Sequence, residues 1–190
     1  MSLLVKALTV GGRPNPLGTD GKPPQFGWKL ESARRGTLQT AYRIQVADAE
    51  DGFDRPLWDT GKTESDASIR VTYEGPAPVS RTRYFYRVKA WDNFGGESDW
   101  SEIAWWETGL LSEDEWQARW ITPDPAAIDP LAEPVFALRK SFELKGDVRS
   151  ARVYATGVGV YDLYLNGGKV GGDILAPGWT SYRNRLQYQT

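Results

Sequence analysis

The chain has 190 residues, 40% hydrophobic and 25% charged, with a net charge of −2, which suits one large or two small globular domains. It contains no cysteine and no histidine, so disulfides, a thiol nucleophile, Ser-His-Asp catalysis and the usual zinc sites are excluded. The lack of a basic excess argues against nucleic acid or an acidic membrane as partner, and no run of roughly eighteen apolar residues predicts a membrane span. Residues 1–10 lack the charged start, apolar centre and small-residue exit of a secretory signal, so a cytoplasmic location is the default expectation. Aromatic residues are frequent at 13%, with nine Trp and nine Tyr. That frequency suits strand cores, and it also suits sugar binding by ring stacking.

Leu4, Val5, Leu8 and Val10 predict a first strand, followed by a Gly- and Pro-rich loop over 11–25. Phe26, Trp28 and Leu30 alternate with polar or small residues, as do Tyr42, Ile44 and Val46, and both runs read as strands. Residues 57–61 suggest a short edge strand, and Ile69, Val71 and Tyr73 a further one. Pro76 and Pro78 then break the chain. Residues 83–91 place Tyr84, Tyr86, Val88 and Ala90 on one face and Arg83, Phe85, Arg87, Lys89 and Trp91 on the other, the period of a strand with one buried and one wet face. The turn chemistry of 92–99 joins it to a partner over 100–108, giving an aromatic-rich hairpin. Trp28, Tyr42, Ile44, Val46, Ile69, Val71, Tyr84, Tyr86, Val88 and Trp106 are the expected inward residues.

About seven short strands with turn signals between them and no helical period are the pattern of a β-sandwich. The Trp of the second strand, the Tyr-x-Ile-x-Val of the third, residues 86–91, and the following Gly95, Ser98, Trp100, Ser101, Trp106 and Thr108 resemble a fibronectin type III domain over residues 1–109. Residues 110–115 are acidic and read as a linker with a short helical turn capped by Ser112.

A second module is expected over 116–190. Residues 123–134 read as a Pro/Ala/Asp loop. Phe136, Leu138, Phe142 and Leu144 predict a strand, with Lys140 on its apolar row, and residues 151–155 and 160–165 predict two more. Asn166-Gly167-Gly168 is a hairpin turn signal, and Gly157 and Gly159 mark a bend or a close backbone approach. Four or five strands in about 75 residues would leave an apolar face open, so this module is expected to be an incomplete jelly-roll-like β-sandwich, and the chain a fragment of a longer one.

The succession Trp116-x-Ala118-x-Trp120-Ile121, the run 136–142, then Val153-Tyr154, Gly157, Gly159, Tyr161 and Leu163-Tyr164-Leu165-Asn166-Gly167, and finally Pro177-Gly178-Trp179-Thr180-x-Tyr182 with Arg185 and 188–190, resembles the N-terminal β-sandwich module of bacterial α-L-rhamnosidases. In that inverting family a fibronectin-like domain commonly precedes this module. The resemblance implies a parent that removes terminal α-L-rhamnose from glycosides, with catalytic carboxylates in a downstream helical barrel. No catalytic residue of the family therefore falls on this chain, no metal ligand is assigned, and the piece itself is expected to be inactive. Inverting hydrolysis needs an acid and a base roughly 6.5–9.5 Å apart, whereas the Asp and Glu residues here sit in turns and on wet strand faces.

In some relatives the second module binds rhamnose with the help of calcium. The resemblance thus implies no cofactor for this chain, with calcium an option in a complete second module, and rhamnose-containing glycosides as the partner of the parent. A sugar site needs a ring for stacking and polar groups to bracket hydroxyls; Trp179 and Tyr182, with Asn166 and Asp173, are the candidates. Each has a plain structural alternative: a positive-φ turn residue at Asn166, a packed ring at Trp179, a turn cap at Asp173. Two other functions stay open at this point, a fibronectin-type spacer or interaction protein and the front end of a β-galactosidase-like glycosidase.

Overall fold

The computed structural model describes residues 3–124, 126, 128–129 and 135–190; Pro125, Ala127 and 130–134 of the expected 123–134 loop lie outside the described residues. The chain divides into two compact units, Met1–Glu115 and Trp116–Thr190. It is all-β, with no α-helix among the described residues.

The strands of the first unit are, in chain order, β1 (Leu4–Val10), β2 (Gln25–Glu31), β3 (Gln39–Ala47), β4 (Trp58–Asp59), β5 (Thr63–Glu64), β6 (Val71–Thr72), β7 (Arg83–Asp92) and β8 (Ala104–Glu107). One sheet runs β1-β2-β6. The other runs β4-β3-β7-β8, with β5 pairing β3 further along its edge, and every pairing within the two sheets is antiparallel. This is the β-sandwich that the alternating runs predict. The β3–β7 ladder is its longest, from Gln39↔Asp92 to Ala47↔Phe85. Along β7 the burial alternates residue by residue, with Tyr84, Tyr86, Val88 and Ala90 inside.

The core is aromatic. Trp106 is fully buried, stacked on Tyr84 at 5.0 Å and met edge-on by Phe26, Tyr73 and Tyr86. One polar staple crosses it. The Trp28 indole N–H donates to Gln39 Oε1 at 2.9 Å, and the same amide donates to the carbonyls of Ser65 and Ala67 at 3.1 and 2.8 Å. A buried amide with all these partners fixes the seam between the sheets at little desolvation cost.

The opposite face of β7 carries cations over rings. Arg87 lies 4.4 Å from the Trp100 ring and 4.5 Å from Phe53, and Arg83 lies 4.0 Å from Trp105. Residues 98–103, of which 100–103 are expected as strand, contribute differently. The Ser98 and Ser101 hydroxyls accept from the backbone N–H groups of Ala90 and Val88, each at 3.0 Å, while their own N–H groups donate to the carbonyls of the same two residues at 2.9 Å. Side-chain oxygens thus replace the ladder acceptors until β8 begins.

Two irregularities break the simple alternation. Lys6 pairs with Lys29 but Thr9 with Gly27, so β1 holds an extra residue there, and Ala7 takes φ +51°. The bulge shifts the parity, so that Val5, Leu8 and Val10 all point inward while Leu4 stays exposed. A second extra residue lies between Ser68, whose carbonyl accepts from Trp28 N–H, and Val71, which pairs with Phe26; here Arg70 takes φ +55°. This corrects the expectation for Ile69, which is 71% exposed rather than inward. The expected strand over 69–73 shortens to Val71–Thr72 for the same reason.

Residues 110–115 close on the first unit. The Glu115 carboxylate accepts from the Ser80 hydroxyl at 2.6 Å and from the N–H groups of Leu111 and Ser112. The short turn Glu113–Glu115 has Ser112 Oγ accepting from Asp114 N–H.

In the second unit the only two-stranded ladder among the described residues is β9 (Tyr164–Leu165) with β10 (Gly168–Lys169). Isolated bridges join Ala155 to Gln189 and Tyr161 to Ala176. The expected strand over 136–144 forms no ladder, and Phe136, Leu138, Phe142 and Leu144 are all exposed. A strand exists only through a neighbour's hydrogen bonds; alternation supplies the residues of a strand but not that neighbour.

Candidate functional site

The second unit is organised around the turn that its sequence makes most explicit. Asn166 and Gly167 take φ +50° and +83°, so Leu165 pairs with Gly168 and Tyr164 with Lys169. Two successive positive φ values are the demand of a tight hairpin with the right-handed strand twist, and Asn-Gly meets it at least cost. Asn166 therefore holds backbone geometry at this tip. Lys169 closes the hairpin's flank with a 2.7 Å ion pair to Asp162, which together with the nearby charges of Tyr164 and Asp173 holds its ammonium above the ordinary lysine value.

The surrounding backbone is tied by a few specific bonds. Ala155 and Gln189 exchange N–H···O bonds at 3.0 and 2.9 Å, and Tyr161 N–H donates to Ala176 at 2.8 Å. The Tyr161 hydroxyl sits 3.0 Å from the Ala155 carbonyl and 2.8 Å from Gln189 Oε1; burial first, then the charge of Asp173, pushes it above the usual tyrosine value. Gly157 marks a close approach, since a Cβ there would stand 3.1 Å from the Tyr161 ring. Ala176 and Pro177 are buried.

Trp179 and Tyr182 are brought together. Their rings lie 6.0 Å apart at 61°, edge to face. The Tyr182 hydroxyl accepts from Gly159 N–H at 3.2 Å, which anchors that ring to the unit. Trp179 is 86% exposed, so it is an open ring with one aromatic neighbour rather than a packed one. Among the described residues, no hydrogen bond or ring contact joins Asn166 or Asp173 to this pair. Asp173 is exposed, and its charge acts on Tyr161 and Lys169 instead. The arrangement offers a stacking platform with a fixed hydroxyl beside it.

Calcium would need six to eight oxygen ligands. Among the described residues no three His, Cys, Asp or Glu side chains converge as a metal site would require. In the first unit three carboxylates, Asp59, Glu97 and Glu115, are stabilised as anions. Asp59 is held at about 2, first by its hydrogen bond from Arg43 and further by Gln45 and Gly61. Lys89 holds Glu97 below the usual range, and the Ser80 hydroxyl does the same for Glu115.

Residues 5–112 match the family model of the Rha78A-like N-terminal immunoglobulin domain, and residues 146–190 match that of the α-L-rhamnosidase N-terminal domain. An α-L-rhamnosidase of Formosa agariphila is 38% identical over 96% of this chain and 21% of its own length. The structure of the α-L-rhamnosidase from Dictyoglumus thermophilum is 34% identical and superposes with a TM-score of 0.85, covering 98% of this chain and 23% of that one. The Streptomyces avermitilis α-L-rhamnosidase complexed with L-rhamnose is 43% identical, with a TM-score of 0.62 over 64% of this chain and 12% of that one. The chain thus spans about a fifth of the length of the curated relatives it matches.

Proposed function

The chain belongs to the family of Rha78A-like N-terminal immunoglobulin domains, and from that premise we propose that it is the non-catalytic front end of an α-L-rhamnosidase, a spacer sandwich followed by a module that presents a ring to sugar. The observation that carries this reading is the coverage. Nearly the whole chain aligns with about a fifth of the Formosa agariphila relative, and residues of both units match N-terminal family models. Electrostatics supports the inactive part of the proposal. A glycosidase needs a carboxyl kept protonated near neutral pH, whereas Asp59, Glu97 and Glu115 are all pushed towards the ionised form. Trp179, exposed beside the anchored Tyr182, supports the sugar-presenting part.

The test is direct. The 190-residue chain is assayed with p-nitrophenyl α-L-rhamnoside and titrated by calorimetry with L-rhamnose and D-galactose. No turnover above buffer, with heat of binding for rhamnose that Trp179→Ala removes, is the expected result. Turnover would overturn the inactive assignment; a preference for galactose would favour a β-galactosidase-like front end, and binding to neither would leave the spacer role alone. Melting in calcium against chelator tests the calcium option: a higher midpoint in calcium would assign a site.

A further inference from the structure

The edges of the two sheets of the first unit border an open concavity of about 340 Å³, lined by residues of β3 to β6 and their connections. Its size falls at the lower end of the roughly 300–1,000 Å³ range of small-molecule sites. Six of its side chains define its chemistry: Tyr42 and Trp58, both half-buried; the hydroxyls of Thr63 and Thr72; and the exposed Arg70 and Glu74. The rings are fixed from behind, Trp58 stacked on Phe26 at 6.2 Å and met edge-on by Tyr73 at 5.0 Å, Tyr42 edge-on to Trp28 at 5.3 Å.

Apart from the Thr63 hydroxyl, which donates to the Thr60 carbonyl at 3.4 Å, the polar groups are unspent. Among the described residues, no hydrogen bond or ion pair engages the Tyr42 hydroxyl, the Trp58 indole N–H, Thr72 Oγ1, the Arg70 guanidinium or the Glu74 carboxylate. Three charged pairs elsewhere in this unit are spent on each other: Arg43 with Asp59 at 2.6 Å, Arg83 with Glu107 at 2.9 Å and Lys89 with Glu97 at 2.6 Å. Burial first, then the charge of nearby Glu74, pushes the Tyr42 hydroxyl above the usual tyrosine value. Arg70 reaches the rim through the bulge, at φ +55°, a conformation unfavourable for a non-glycine residue that tends to persist where a side chain must be placed.

We propose that this concavity is a carbohydrate-binding site on the first unit, taking one neutral pyranose ring, with its C–H face on Trp58 and Tyr42 and its adjacent hydroxyls bracketed by Arg70 and Glu74. One cation and one anion leave no net charge, which disfavours phosphate or amine ligands. A sugar supplies what these groups lack: an apolar face for a ring edge or plane, and neighbouring hydroxyls that donate and accept at once. The site stands on the first unit alone and does not depend on Trp179 and Tyr182 or on the family assignment.

The experiment is ¹H–¹⁵N NMR of the 190-residue chain titrated to ~50 mM with the methyl glycosides of L-rhamnose, D-galactose and D-glucose, a range suited to the weak affinity of a small ligand on an open site. The reporter is the Trp58 indole N–H, identified with Trp58→Phe. A saturable shift is expected with at least one sugar. Arg70→Gly, which also releases the left-handed backbone, should weaken binding about tenfold or more through loss of charged hydrogen bonds, with a melting midpoint that does not fall. Glu74→Gln should weaken it in the same direction, and Trp179→Ala should leave it unchanged. Absence of a saturable Trp58 shift with all three sugars, or a shift indifferent to both Arg70→Gly and Glu74→Gln, overturns the proposal. So does a Trp58 shift that Trp179→Ala abolishes.

Discussion

Asp59→Asn should destabilise the first unit at neutral pH and do so progressively less as the medium is acidified. The Asp59 carboxylate accepts from Arg43 Nε at 2.9 Å and Nη2 at 2.6 Å, from Gln45 Nε2 at 2.7 Å and from Gly61 N–H at 2.9 Å. These bonds clamp the two-residue edge strand β4 onto β3. They also hold the acid at about 2 against an ordinary 3.8, a difference equivalent to about 2.4 kcal/mol. The Arg43 side chain is 39% exposed, so solvent screening reduces the usable part to about 1–2 kcal/mol. For a domain of this size that corresponds to a midpoint lower by about 4–8 °C. The sign follows from the depressed value: the contribution is fully present above pH 3.8 and is lost as pH falls from there through about 2. Near-UV circular dichroism, which reads the packed rings around Trp106, measures the melting of this unit from pH 7 down to pH 2. The native chain should lead the variant at pH 7 and the gap should close by pH 2. Equal midpoints at pH 7, or a gap that persists at pH 2, would refute the clamp as the source of the stabilisation.

Gln39→Leu should cost about 2–4 kcal/mol in urea unfolding, because it orphans the buried Trp28 indole N–H and removes the donor to two carbonyls; a loss under 1 kcal/mol would contradict the staple. Tyr86→Phe should be neutral or stabilise by up to about 1 kcal/mol, since the Tyr86 hydroxyl is buried without a partner; a marked loss of stability in the same assay would show that the hydroxyl is satisfied. Gly167→Ala, at φ +83° in the hairpin turn, should cost about 1 kcal/mol locally. Faster amide exchange at Lys169 and Val170 than in the native chain would report it, and unchanged exchange would argue that the turn tolerates a side chain.

How far the sequence could be read depended on the range of the interactions that decide each feature. The hairpin at Asn166-Gly167 was legible because two adjacent residues determine it, and their positive φ values appear as predicted. The rows on β2, β3 and β7 were legible because each strand carries its own periodicity, which survives wherever the ladder is regular. Ile69 was misplaced because its orientation is set by Arg70, and nothing about arginine as a residue type announces a left-handed backbone; the bulge becomes visible only when Phe26 and Trp28 are seen to pair across it. The parity break in β1 did leave a trace, since Val5, Leu8 and Val10 cannot share one face of a regular strand. The run 136–144 alternates apart from Lys140, yet its apolar residues are exposed, because alternation records which face a strand would bury and is silent on what would cover it. The same limit applies to function. The exposure of Trp179 could not be deduced from its neighbours in the chain, and the concavity around Tyr42 and Trp58 draws on segments from residue 42 to residue 74. Sites of this kind are recognisable by a different signal, polar side chains left without partners beside rings whose other contacts are already fixed, and that signal exists only once the sheets have formed.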